Sequence, residues 1–466
     1  SLREFILCPF RSLPRRRLIR AGAAIAALAT GKTFTAFAET PTQRLQWQNW
    51  SGWQSSFPEA RLAPANASEV AEIITSSPKP IRPVGTGHSF TPLVPTDGTI
   101  MSLDRLTGVL ETNDETLEAT VGAGSKLGDL GAPLEERGQA LINMPDINRQ
   151  TLAGSISTST HGTGEKFGSL SSYVTGLELV TANGDTLWCD KDKQPDLFQA
   201  ARVSLGSLGI ITKIRMQNRT PHRINKRTWV VPFEEMMEQA DNFAAENRNF
   251  EFYYIPFSSM CMGISHNETD EPLAPAVAQD DDGVMTLKAL ADYMSWSPSL
   301  REYFIRSALE DLPDETFVDT SWKVYPSERS VRFNEMEYHL PRENALTALK
   351  EIRTLVEGEN LDLFFPWEFR YVKSDDIWLS PFQGRESCSI AIHRFHEEDY
   401  KPLFSAIEPI LQKHGGRPHW GKLHTLKAPD FAKLYPNWND FQAVRQEMDP
   451  EGIFLNTHLK EVFGLA

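Results

Sequence analysis

Cysteine is scarce in this chain. Cys8, Cys189, Cys261 and Cys388 are spread over 466 residues, and none forms a Cys-x-x-Cys pair. Neither a zinc ribbon nor a disulfide framework is indicated. No Gly-x-x-x-x-Gly-Lys-Ser/Thr run occurs, so a P-loop is not supported. Long apolar runs are missing too: the mild stretch Ala21 to Ala29 falls short of the about 20 residues that span a bilayer. Basic residues are in deficit, with 47 Lys and Arg against 62 Asp and Glu and a net charge of -15. That balance argues against the basic face of a nucleic-acid binder, and no nucleic-acid partner is expected. No internal repeat or low-complexity tract stands out. The length fits two or three domains around a large core.

What the chain has is glycine loops. Val84-Gly85-Thr86-Gly87-His88-Ser89-Phe90 follows a short strand pattern. Its glycines let the backbone approach a ligand closely and adopt positive φ. Amides in such a loop form a nest for phosphate oxygens, with the nucleophilic imidazole of His88 beside it. A second loop echoes it: Gly154-Ser155-Ile156-Ser157-Thr158-Ser159-Thr160-His161-Gly162-Thr163-Gly164. A third run, Ser204 to Thr212, carries Gly206 and Gly209. Its small residues suit packing against a planar ring or adenine, and a helix C-cap followed by a strand explains them equally.

Gly122-Ala123-Gly124-Ser125-Lys126-Leu127-Gly128 offers a rival, because a strand, a glycine turn and a helix approximate a dinucleotide fingerprint. Such a unit wants a second strand ending in an acidic residue about 20 residues on. Here Asp146 has no clear strand before it. The rival also leaves the other loops unexplained.

The loops at 84–90 and 154–164 resemble, in order and spacing, the flavin loops of the vanillyl-alcohol-oxidase-like FAD proteins. The 204–212 run resembles the motif that closes their FAD domain. The resemblance implies FAD as cofactor. It places Gly85, Thr86, Gly87, His88 and Ser89 on the flavin, with Gly154, Ser155, Ser157, Thr158, Thr160, His161 and Gly162 from the second loop and Gly209 and Ile211 from the third. It further implies covalent flavin attachment through His88.

Between the loops the pattern predicts ordinary elements. Asn66 or Ser68 caps a helix with Val70, Ile73 and Ile74 on one face. Short strands are expected at 99–103, 109–112 and 117–121, and a helix runs to Leu134. Val174–Val180 and Thr186–Cys189 flank Asn183-Gly184, a hairpin signal. Asp196 is expected to cap a helix over 197–203. Beyond Asn218 come a strand near 227–231, helices at 234–247 and 344–358, and a polar insertion at 267–283 ending in Gln279-Asp280-Asp281-Asp282-Gly283.

The second half carries its own chemistry. In Pro366-Trp367-Glu368-Phe369-Arg370-Tyr371, strand alternation puts Glu368 and Arg370 on one face. Such a pair can grip a polyhydroxylated substrate and stabilise an oxyanion, although a surface ion pair has the same signature. A neighbouring strand is expected at 389–395, followed by Gly416-Arg417-Pro418-His419-Trp420-Gly421-Lys422. Glu-x-Arg followed by His-Trp-x-Lys resembles the sugar-1,4-lactone oxidases, the D-arabinono- and L-gulonolactone group, over residues 45–466. Alditol oxidases are close relatives.

That resemblance implies an α+β architecture. A two-subdomain FAD-binding domain of PCMH type would cover 39–217, and a substrate or cap domain with an antiparallel sheet 218–430. A C-terminal segment, 431–466, would return to the flavin. It also implies a reaction, in which a CH–OH group of an aldonolactone passes hydride to flavin N5. Arg370 and Lys422 would hold developing charge, and Glu368 would orient them or take the hydroxyl proton. His419 would be structural or catalytic. The acceptor would be oxygen, a cytochrome or a quinone. An alditol oxidase and a non-catalytic flavin- or sugar-binding module remain the alternatives. No metal site is expected, since His393, His396, His419 and His424 come with no carboxylate or thiolate pattern.

The N-terminus reads as an export signal. Pro14-Arg15-Arg16-Arg17-Leu18-Ile19-Arg20 precedes the mild apolar run, and Ala36-Phe37-Ala38 offers a cleavage site before Glu39. It resembles a twin-arginine signal, which moves folded, cofactor-loaded proteins. The expectation is a periplasmic enzyme whose membrane contact is confined to residues 1–38. A basic tail bound to anionic lipid is the alternative.

Overall fold

The computed structural model describes residues 44–465 apart from 277–282, 295, 311 and 328–330. The expected signal at 1–38 and the acidic end of the 267–283 insertion lie outside the described residues. From Arg44 onward the chain clusters as one unit.

Its first half holds two main sheets, besides a two-stranded pair of Trp47–Gln48 with Ser55–Ser56. A small parallel one runs in the order Ala60–Leu62, Thr99–Ser102, Ile81–Val84. The helix Ala67–Ser76 precedes Ile81–Val84. It starts where expected, because the Asn66 side chain accepts from Glu69 N at 2.9 Å while the Glu69 carboxylate reaches back to Ala65 N. Val70 and Ile74 are its buried face. The second sheet is antiparallel, in the order Thr186–Asp190, Val174–Val180, Ile210–Arg219, Glu118–Gly122, Val109–Asn113, with Ala140–Leu141 also pairing on Ile210–Arg219. One expectation shifts. The helix after the hairpin spans Pro195–Ala201, with Gln194 at its cap and Asp196 inside the first turn, because Pro195 takes the first helical position.

The second half is an eight-stranded antiparallel sheet. Its order is Glu315–Thr320, Arg223–Pro232, Met260–Glu268, Asn249–Ile255, Trp367–Val372, Ser387–Phe395, Phe333–Pro341, Arg417–Pro418. Helices Phe233–Glu246, Arg342–Gly358 and Lys401–Lys413 bury apolar stripes as part of its core. The architecture is thus α+β: a two-sheet half and a large antiparallel cap sheet. Among the described residues no helix is long and apolar enough to cross a membrane.

The cores do not respect chain order. Phe431, Tyr435, Trp438, Phe441, Phe454, Leu459 and Phe463 all pack into the core of the first half. Arg82 anchors this return. Its buried guanidinium donates to the carbonyls of Leu93, Leu205, Gly206 and Phe454 at 2.6–2.9 Å. Ile81 N donates to Ile453 O, and Asn456 Nδ2 to Pro92 O and Pro95 O. The end of the chain thereby closes the first loop from behind.

Candidate active site

The strand Ile81–Val84 delivers the Gly85–Ser89 loop to the edge of a cleft. Gly85, Thr86, Gly87, His88, Ser89, Gly154, Ser157, Thr158, Thr160, Gly209 and Ile211 all line it. The glycines are needed where they stand. A Cβ on Gly85 would sit 2.3 Å from Thr151 Oγ1, and Gly87 has φ +67° with Trp47 behind it. Leu205 and Gly206 of the third run line it too, and so do Arg82, Gln150 and Thr151, which were not singled out in the sequence. This cradle of glycine backbone and small hydroxyl side chains fits FAD.

Three of the expected cofactor contacts are corrected, since Ser155, His161 and Gly162 do not line this cleft. The Ser155 hydroxyl donates to Thr151 O and Gln150 Oε1, as part of the turn. A Cβ on Gly162 would press on Met144 O at 2.3 Å, so that glycine serves backbone packing. His161 turns away toward the cap sheet, as described below. The Gly122–Gly128 loop also stays off the cleft. Its Gly122 and Gly124 abut the carbonyls of Leu106 and Leu103, which accounts for the dinucleotide-like spacing.

His88 is partly exposed to the cleft and stacks on Trp50, ring centres 4.5 Å apart. Burial pushes its pKa down to about 4, and nearby Lys422 adds to the effect. The ring is therefore a neutral, nucleophilic imidazole at pH 7.

The other end of the site is built by register. Glu368 lies opposite Tyr253 on one side and Ala391 on the other, and Ala391 lies opposite Glu337. Arg370 similarly aligns with Glu251 and Ser389, and Ser389 with His339. One face of four strands thus carries a row of charges in which small Ala391 and Ser389 leave room. Arg370 Nη2 donates to Glu368 Oε2 at 2.5 Å, and the Tyr253 hydroxyl donates to Glu368 Oε1. Arg370 also approaches Asp146 at 3.7 Å and Glu337 at 3.8 Å. All of these groups except Asp146 and Tyr253 are below a tenth exposed, and the carboxylates hold Arg370 well above the ordinary guanidinium range despite its burial.

The His419–Lys422 turn leans on the same strand. His419 N donates to Glu337 O and Leu423 N to Glu335 O. Phe90 N donates to Gly421 O and the Thr91 hydroxyl to Trp420 O, so the turn also grips the first glycine loop. Lys422 lines the cofactor cleft and ion-pairs with Glu335, not Glu368, and lies 3.9 Å from Glu337. His419 lines the cleft as well. Its Nδ1 accepts from Gly421 N at 3.0 Å, which leaves Nε2 as the protonated nitrogen of the neutral ring. Burial lowers its pKa to about 3.

Glu335 and Glu337 are site residues that were not singled out, and so is Tyr253. Ligand atoms of His161, Glu337 and His339 fall within 4.8 Å of one another, as do those of Glu335, Glu368 and His393. Arg370 and Lys422 already neutralise these carboxylates, so both groups read as ion-pair networks. The four histidines weighed as metal ligands do not converge: His396 bonds Arg332 O at the surface, and His424 packs edge-on against Phe431.

A glycine-loop cradle joined to a charged, water-poor row defines an FAD-dependent oxidoreductase. The comparisons agree. Residues 58–190 match the FAD binding domain family, and residues 214–462 match D-arabinono-1,4-lactone oxidase. The chain belongs to the D-arabinono-1,4-lactone oxidase family. It is 35% identical to an L-gulono-1,4-lactone dehydrogenase of Mycobacterium tuberculosis, over 90% of this chain and 99% of the relative. It is 31% identical to the L-gulonolactone oxidase of Bos taurus, over 90% and 98%. A cholesterol oxidase from Brevibacterium sterolicum shares the fold, with TM-score 0.74 at 16% identity over 92% of this chain and 99% of that one.

Proposed function

We propose that this protein oxidises a ring CH–OH group of a neutral aldono-1,4-lactone. One observation carries the reading. Arg370 and Lys422, from separate elements, converge on Glu337, and Lys422 also lines the cofactor cleft. Two cationic side chains, each already paired with a carboxylate, thus meet beside the cofactor cleft. When bound, flavin supplies the two-electron acceptor that takes the substrate's hydride. Glu368 takes the hydroxyl proton, and Arg370 and Lys422 hold the charge on the substrate oxygen as the carbonyl forms. The neutral His419 keeps its proton on Nε2 beside the cleft. Buried side chains around the row exclude water and strengthen each of these interactions. The relatives named for gulonolactone are 29–35% identical, against 26% for an alditol oxidase of Streptomyces, which favours a lactone over a polyol.

The same reading includes covalent flavin at His88, export before cleavage near Glu39, and electron transfer to oxygen, a cytochrome or a quinone. The deciding experiment assays the purified protein on a panel of aldonolactones, including D-arabinono- and L-gulono-1,4-lactone, and alditols, with and without oxygen. Bleaching of the flavin by a lactone is the expected result. Preference for an alditol replaces the substrate class, and no bleaching by any of them leaves a binding module. Turnover that needs air identifies oxygen as acceptor, whereas turnover only with an added cytochrome or quinone identifies a dehydrogenase.

A further inference from the structure

His161 sits in the second glycine loop, yet its ring belongs to the other half of the molecule. Nε2 lies 2.8 Å from Glu337 Oε1 and Nδ1 lies 2.7 Å from Gly162 O. Both neighbours are acceptors. The ring is thus held from both sides. Burial alone would favour the neutral acid at Glu337, but His161, Arg370 and Lys422 outweigh it and hold that carboxyl well below its usual range.

Glu337 is shared by three basic side chains. Its Oε1 faces His161 and Arg370, and its Oε2 faces Lys422. Arg370 and Lys422 each have another anion, Glu368 and Glu335 respectively, toward which they would otherwise draw apart. The backbone repeats the link: Glu337 O accepts from His419 N, and His161 O lies 3.5 Å from Arg370 Nη1. We propose that Glu337, locked in place by His161, is the positioning residue that keeps Arg370 and Lys422 converged on the reacting centre. The second glycine loop then does two jobs. Its Gly154, Ser157, Thr158 and Thr160 line the cofactor cleft, while its histidine sets the substrate-side cations.

The proposal rests on the reading of the site above, and its test separates the two. Glu337→Gln, purified as holoenzyme, keeps the shape and loses the charge. Sulfite, an anion that bleaches oxidised flavin, is the probe, because it needs nearby cations and no lactone chemistry. By charge alone, removing a carboxylate beside the site would tighten anion binding. Loss of positioning does the opposite. The expected result is at least tenfold weaker sulfite bleaching at unchanged flavin content, with partial recovery in Glu337→Asp. Lactone-driven bleaching should slow at least tenfold in parallel, through kcat more than KM. Sulfite binding that is unchanged or tighter overturns the proposal. Failure of every lactone in the wild type, with weaker sulfite binding in the variant, overturns only the substrate reading. If Glu337→Gln yields no holoenzyme, Glu337→Asp, which keeps the charge and draws the carboxylate back from Arg370 and Lys422, is put through the same sulfite measurement: weaker bleaching supports the proposal, and unchanged or tighter bleaching overturns it.

Discussion

The indole of Trp50 and the imidazole of His88 lie stacked, 4.5 Å apart and within 17° of parallel. Phe90 meets both edge-on. This box fixes the ring plane of the residue expected to carry the flavin and keeps it uncharged. A flavin fluorescence band should therefore stay with the denatured protein on a gel and vanish in His88→Ala. Trp50→Ala should lower the attached fraction while leaving free FAD binding. Release of all flavin by acid from the wild type would refute attachment.

Lys422 and Glu335 form a buried pair, and that separates two roles of one lysine. Lys422→Met should retain flavin but lose turnover by about 10²-fold or more, the scale for an oxyanion stabiliser. It should also lose about 3–5 kcal/mol of stability, because Glu335 stays behind as an unpaired buried charge. Adding Glu335→Gln should restore the urea midpoint and leave turnover low. Restored turnover in the double variant would show that the lysine acts through stability alone.

Acid should unfold the protein through its histidines. Burial lowers His88, His222 and His458 to about 4 and His419 and His424 to about 3, and it holds His266 and His339 well below the ordinary histidine value. An unfolded histidine titrates near 6.5. Below that pH the unfolded state binds more protons, so stability falls as pH drops from about 6.5 toward 4. The slope is about 1.4 kcal/mol per pH unit for each histidine held neutral. Urea midpoints should be flat from pH 8 to 7 and fall steeply from 6.5 to 5. A flat profile down to pH 5 would contradict the burial of these rings.

Export is decided by chemistry at the N-terminus. The mature protein should begin near Glu39, and lysines at Arg15 and Arg16 should trap active, flavin-loaded precursor inside the cell. N-terminal sequencing of the native protein is the measurement. An uncut chain in a membrane fraction that high salt releases would instead support a lipid-bound basic tail.

The glycine loops, the Glu368–Arg370 alternation and the His419–Lys422 turn were legible because each is a local pattern with a local meaning. Glu335 and Glu337 were not. Alternating charges in Phe333–Pro341 look like the wet face of a strand, and only the sheet order puts that face against Arg370 and Lys422. His161 is read from the loop it sits in. Thr160 before it lines the cofactor cleft, but its own side chain reaches a carboxylate 176 positions away. Tyr253 carries no motif at all and enters through its cross-strand register with Glu368.

The anchoring of Arg82 has a consequence for how the protein matures. One guanidinium group caps carbonyls on the first loop, the third glycine run and Phe454, which lies 372 positions further along the chain. During synthesis, at about 5–20 residues per second, the wall of the cofactor cleft waits tens of seconds for its last support. A nascent chain can collapse around its first sheet in that interval, but Arg82 then holds a buried charge short of an acceptor. A chain that ends before Phe454 lacks one of the four carbonyls that Arg82 holds, so this wall of the cleft is complete only with the closing segment.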